Sequence, residues 1–140
     1  MLYLDTSLLV SALTKEVDTR KSQNWLGAQD AQELAISDWV VTEFSSALAI
    51  KLRTGQLGPD HRASALAAFT RLVVDTFRVL PVEREAFRTA ARLVDLPATN
   101  LRGGDALHLA ICVGHGATLC TLDHGLAVAA PLVGVKVAYM

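Results

Sequence analysis

Short apolar runs alternate along the chain with longer stretches in which apolar side chains recur every three to four positions. Residues 2–4, Leu-Tyr-Leu, read as a short buried strand that ends at Asp5. Leu8, Leu9, Ala12 and Leu13 then mark a helix over 7–13, and Trp25 and Leu26 anchor a second over 18–28. Residues 34–36 form the next strand. Ser37 or Asp38 can cap a helix over 39–53, and Gly55 stands beyond it as a natural stop. Pro59 or Asp60 opens a helix to 74, followed by a strand over 78–82, a helix over 83–93 and a loop over 97–104. Gly103-Gly104 reads as a turn, after which Asp105 starts a helix over 106–113 closed by Gly114 and Gly116. A strand over 117–122 leads to Asp123, a short helix over 124–130 ends at Pro131, and a strand over 135–139 closes the chain. The order β-α-α-β-α-α-β-α-α-β-α-β predicts an α/β fold around a mainly parallel sheet. No repeat, low-complexity tract or linker interrupts it, so the 140 residues are expected to form one domain.

Composition narrows the setting. Apolar residues make up 51% of the chain, and a domain of this size buries a core without disulfides or structural metal. No apolar run is long enough to span a bilayer, and Met1-Leu2-Tyr3-Leu4-Asp5 lacks the basic segment and apolar stretch of a signal peptide. A cytoplasmic setting is therefore expected. Cys112 and Cys120 lie in apolar surroundings and read as small buried side chains. The net charge of −1 argues against broad duplex binding through a basic surface. It leaves room for a nuclease, because bound metal supplies its own positive charge.

The acidic residues carry the chemistry. In a parallel sheet, functional groups gather at the carboxyl ends of strands, where strand order reverses. Asp5 and Asp123 each follow a predicted strand and so share one edge of the domain. Asp105 opens the helix that leads into the strand before Asp123. Glu43 falls within the apolar stripe of its helix, among Val40, Phe44, Ala47 and Leu48, where an uncompensated carboxylate is costly. Each acid also has a structural reading: Asp5 and Asp105 as helix caps, Asp123 as a turn residue before Gly125, and Glu43 as the partner of an arginine such as Arg102. Taken together, four crowded carboxylates call for a hard divalent cation with oxygen ligands. Two such ions can activate water and stabilise a leaving oxygen. Removing the charge of Glu43, as Gln, is expected to raise metal-free stability, because like-charge repulsion is relieved.

The segments Leu4-Asp5-Thr6-Ser7, Glu43 on the third helix, Gly104-Asp105-Ala106-Leu107-His108-Leu109-Ala110 and Thr121-Leu122-Asp123-His124-Gly125-Leu126, in that order, resemble the PIN-domain nucleases. More narrowly the chain looks like the VapC-type toxins of toxin–antitoxin pairs, over essentially its whole length. The resemblance implies a sheet of order 3-2-1-4-5 flanked by helices, and an endoribonuclease dependent on Mg²⁺ or Mn²⁺. It implies Asp5 and Asp105 as primary metal ligands, with Glu43 and Asp123 as supporting acids of the catalytic cluster. Thr6, Ser7 and Thr121 would supply hydroxyls near the metal or its waters. It also implies an RNA substrate, a homodimer and a cognate VapB-type antitoxin that blocks the site.

The remaining residues add little. Arg102, just before Asp105, is the candidate phosphate contact, ahead of the more distant Lys51 and Arg53. His108 reads as a buried helix histidine rather than a ligand, and His115 and His124 lie outside any zinc spacing. Trp25 and Trp39 read as core anchors. An aspartyl phosphatase would want a second Asp two residues after Asp5, where Ser7 stands. A receiver-like regulatory module would want paired acids near the first strand and a lysine after a late strand, and Lys136 begins the last strand instead. A non-catalytic PIN-like binding module fits poorly with four intact acids.

Overall fold

A computed structural model describes all residues from Met1 to Met140. Five strands form one sheet in the order β3-β2-β1-β4-β5 with every neighbouring pair parallel. The expected order 3-2-1-4-5 is therefore present. β1 (Leu2–Leu4) lies at the centre, between β2 (Leu34–Ser37) and β4 (Thr118–Thr121). Tyr3 sits opposite Ala35 on one side and Leu119 on the other. β3 (Arg78–Leu80) and β5 (Val137–Tyr139) are the edges.

The connections dictate the layers. From β1 the chain runs outward through α1 (Thr6–Leu13) and α2 (Thr19–Gly27) to β2, then through α3 (Asp38–Arg53) and α4 (Pro59–Asp75) to β3. It returns through α5 (Arg84–Val94) and α6 (Gly103–His115) to β4, on the far side of β1, and ends through α7 (His124–Leu132) and β5. Right-handed crossovers in opposite directions put the two sets of helices on opposite faces of the sheet. The contacts agree: α1 packs with α2, α3 and α4, while α6 packs with α5 and α7. The core runs through Tyr3, Leu4, Leu9, Ile36, Phe44, Leu109 and Leu119, all fully buried, and Phe44 stacks on Phe69 at 4.1 Å.

Some boundaries differ from the pattern, each for a local reason. β3 stops at Leu80 because Pro81 has no N–H for the ladder. β5 starts at Val137 because Gly134 adopts φ 78° and the Val135 amide closes α7 on Ala130. α7 runs past Pro131 by one residue instead of ending there. α6 passes through Gly114 and closes on Gly116, which takes the left-handed conformation at φ 61°. Gly103 and Gly104 are not a turn: they form the first turn of α6 with Asp105, and Arg102 occupies the cap position.

Candidate functional site

The break in connection order between β1 and β4 opens the sheet at its carboxyl end. Asp5 follows β1 directly, and its amide extends the ladder by bonding the Cys120 carbonyl at 3.1 Å. Its side chain caps α1 by accepting from the Leu8 amide, so the cap reading and the cleft reading both hold for this residue. Asp123 follows β4 and caps α7 by accepting from the Leu126 amide at 2.9 Å. Glu43 reaches the same edge from the second turn of α3, and Asp105 from the first turn of α6.

All four line one open cleft of about 270 Å³, together with Thr6, Ser7, Ser46, Ala47, Ile50, His108 and Leu126. Thus the structure gathers every predicted acid. Thr121 lies directly behind Asp5. Arg102 is exposed and does not line the cleft. Lys51 is engaged with Glu16 at 2.6 Å.

The hydroxyls hold carboxylates. The Ser7 hydroxyl bridges both Asp5 oxygens, at 2.7 and 3.0 Å, and accepts from the Leu122 amide. Thr121 donates to Asp5 Oδ2 at 2.7 Å and accepts from the Asp123 amide at 2.8 Å, which ties the two strand ends together. Thr6 donates to Glu43 Oε2 at 2.6 Å. His108 Nε2 meets the same oxygen at 2.6 Å. No lysine or arginine pairs with any of the four acids.

That deficit shows in the proton affinities. Burial pushes the Asp5 carboxyl above the ordinary aspartate range, against the pull of Thr121, Ser7 and the Leu8 amide. Burial, and then the neighbouring charges of Asp123 and Glu43, push Asp105 up as well. Glu43 goes the other way: burial raises it, but His108 and Thr6 more than offset burial and hold it below the usual glutamate range.

The donor set suits a hard cation: four carboxylates, oxygen-rich surroundings and no basic side chain but one histidine. No trio of acidic, histidine or cysteine side chains closes around a common point. The cleft is therefore not a preformed cage of three protein ligands; a hard cation held there would take one or two carboxylates and complete its shell with water. Binding a cation at Asp5 requires the Ser7 hydroxyl to release one of its two contacts.

The model of one protein family, the PIN domain, matches residues 2–131. The chain belongs to the PIN domain family. Ribonuclease VapC47 of Mycobacterium tuberculosis is 35% identical to this PIN domain over 112 residues, 79% of this chain and 73% of that one. Two solved structures share the fold. VapC20 of Mycobacterium tuberculosis, a toxin that cleaves the sarcin–ricin loop, superposes with TM-score 0.71 at 18% identity, covering 92% of this chain and 95% of its own. A toxin–antitoxin complex from Klebsiella pneumoniae superposes with TM-score 0.66 at 18% identity, covering 94% and 93%. At those identities the likeness speaks for the fold alone.

Two features of this PIN domain lay outside the pattern of its sequence. Glu43 is not paired with Arg102 but with His108 and Thr6, and His108, the buried helix histidine expected, has both ring nitrogens engaged. A signal for it existed: His108 lies three residues after Asp105 on one helix, hence on the same face. Trp39 is also less buried than a core anchor. It walls an apolar groove beside the cleft with Phe87, Val94, Gly104 and Leu107. The two cysteines are free and buried as expected, and burial pushes the Cys120 thiol up to about 12.

The Glu43 contacts reverse the stability expectation. A carboxylate held below its ordinary value favours the folded state, present above its unfolded value of about 4.3 and lost as pH falls through the native one. Glu43→Gln is therefore expected to lose about 1–2 kcal/mol at neutral pH and to converge with wild type in acid. Asp5 and Asp105 act oppositely, because the folded state keeps their protons longer, so their effect on stability falls as pH rises above about 4. Urea unfolding of both proteins from pH 3 to 7 checks this, and a Glu43→Gln variant more stable than wild type at pH 7 would show that repulsion dominates after all.

Proposed function

We propose that this PIN domain is a divalent-metal-dependent endoribonuclease and the toxin of a toxin–antitoxin pair. The carrying observation is the cleft in which Asp5, Glu43, Asp105 and Asp123, from four separate segments, meet with no lysine or arginine to neutralise them. A relative at 35% identity that is a ribonuclease supports the substrate class.

Asp5 and Asp105 are the proposed primary ligands, with the exposed Asp123 after β4 and Glu43 on α3 as supporting acids. Mg²⁺ or Mn²⁺ bound there supplies Lewis acidity, which lowers the proton affinity of water and stabilises charge on a phosphodiester. The residues themselves set the geometry. Ser7 and Thr121 fix the rotamer of Asp5, and Thr121 carries the same restraint to the backbone of Asp123. Thr6 and His108 fix Glu43. The buried, doubly tethered Asp5, 2% exposed, is poorly placed for in-line attack on phosphorus, which tells against an aspartyl phosphatase.

RNA is the proposed substrate, a VapB-type antitoxin the proposed partner, and a homodimer the proposed assembly. No helix is long and apolar enough to cross a membrane, which accords with a proposed cytoplasmic site of action. Arg102 stays the proposed phosphate contact outside the cleft. The decisive assay incubates purified protein with structured RNAs in Mg²⁺ or Mn²⁺ and maps the ends. Discrete internal cuts are expected, and intact RNA throughout the panel would count against the reading.

A further inference from the structure

The two oxygens of Glu43 have different surroundings. Oε2 is engaged twice, by Thr6 and by His108, each at 2.6 Å. Oε1 takes no bond from Thr6 or His108; it lies beside Trp39, whose buried indole N–H has no other partner and helps hold the Glu43 carboxyl low, and 3.3 Å from the point where a Cβ on residue 104 would stand. Gly104 leaves that space open.

Behind His108 runs a buried chain of hydrogen bonds. His108 Nδ1 meets the Tyr3 hydroxyl at 2.9 Å, and that hydroxyl meets Ser37 Oγ at 2.7 Å. Their exposures are 2%, 0% and 0%, so water does not complete the chain. The other bond of Ser37 Oγ accepts from the Val40 amide, as the cap of α3. The Ser37 proton therefore has one acceptor, Tyr3. Tyr3 in turn gives its proton to His108 Nδ1, and the ring carries its own on Nε2, aimed at Glu43. The opposite direction strands the Ser37 hydroxyl without an acceptor, at a cost of about 1–3 kcal/mol.

We propose that Tyr3 and His108 are a positioning pair for Glu43. The chain Ser37→Tyr3→His108 favours the Nε2–H tautomer, pins Oε2 and so holds Oε1 in one orientation, toward Gly104 and Trp39 at the edge of the cleft. Tyr3 is placed for this by strand geometry: it lies two residues before Asp5 on β1, on the same face. What Oε1 then does rests on the nuclease reading, but the tautomer and the pinned carboxylate do not. A partner that orients a ligand in this way governs metal affinity and turnover by about 10–100-fold in known sites.

The test uses the full chain with His108→Leu, His108→Gln and Tyr3→Phe, each checked by circular dichroism. In metal-free wild type, nitrogen NMR of the ring is expected to show the proton on Nε2, and a proton on Nδ1 would overturn the proposal. Tyr3→Phe is expected to leave Nδ1 without its donor, which shifts the Nδ1 resonance while Glu43 keeps the proton on Nε2, and to weaken Mn²⁺ binding less than His108→Leu does. Calorimetry with Mn²⁺ is expected to show His108→Leu weakened about 10–100-fold, with kcat reduced and KM for RNA unchanged. His108→Gln, whose amide still donates to Oε2, is expected to recover most of the loss. Wild-type binding and turnover in His108→Leu, or an equal loss in Gln and Leu, would overturn the pair. If His108→Leu fails to fold, His108→Gln against Tyr3→Phe decides: the glutamine variant must bind Mn²⁺ within a few-fold of wild type. A wild-type chain that neither binds Mn²⁺ nor cuts RNA sinks the nuclease reading, and the ring tautomer still decides the positioning pair by itself.

Discussion

Asp105→Asn is expected to abolish RNA cleavage while leaving the protein folded and slightly more stable. The carboxyl of Asp105 sits above its ordinary proton affinity because burial and the charges of Asp123 and Glu43 oppose its ionisation. Its charge is thus a burden on the metal-free fold, and the neutral amide removes that burden, for a gain of at most about 1 kcal/mol at a partly exposed site. Activity should move the other way. A metal ligand contributes several kcal/mol to the transition state, so the loss is about a thousandfold or more. Asp5→Asn is expected to lose as much activity with a different stability balance. Asparagine caps a helix as well as aspartate does, so α1 keeps its start. Its amide NH₂, however, meets hydroxyls from Ser7 and Thr121 that both donate now, and one must turn, at a cost of about 1 kcal/mol. Single-turnover cleavage beside urea unfolding separates the two effects. Full cleavage by a folded Asp105→Asn protein would remove Asp105 from the site.

Chelation is the second large effect. Dialysis against EDTA should reduce cleavage to background, and Mg²⁺ or Mn²⁺ should restore it, because no lysine or arginine is set against the charge of the acids. The same ions should stabilise the fold. A ligand at a hundred times its Kd adds about 2.7 kcal/mol, which for a chain of this size raises Tm by about 6–10 °C. Asp105→Asn should erase most of that shift. Cleavage that persists under chelation would mean that the cleft works without metal.

The period of apolar positions was enough to predict strand and helix order, and the connection rules turned that order into the observed sheet. Boundaries failed where one residue's backbone chemistry decided, as at Pro81 and Gly134. The glycine pair misled for a different reason. Gly103 and Gly104 are poor helix formers, yet they begin α6; glycine at 104 fits because Glu43 and Trp39 crowd that position and leave little space for a Cβ, whereas nothing crowds position 103. Of the site, Asp5 and Asp123 were legible as residues following strands. That Glu43 needed compensation was legible too. Which residue supplies it was not, because the partner is 65 positions away and only the fold brings it near. Arg102 was plausible by proximity in sequence to Asp105, and the structure leaves it outside the cleft.

The bond from Thr121 to Asp5 spans 116 positions of the chain. The cleft is therefore a property of the whole sheet: a chain interrupted before β4 lacks Thr121 and Asp123 and leaves Asp5 without the hydroxyl that sets its rotamer, so neither half of the domain assembles the site by itself.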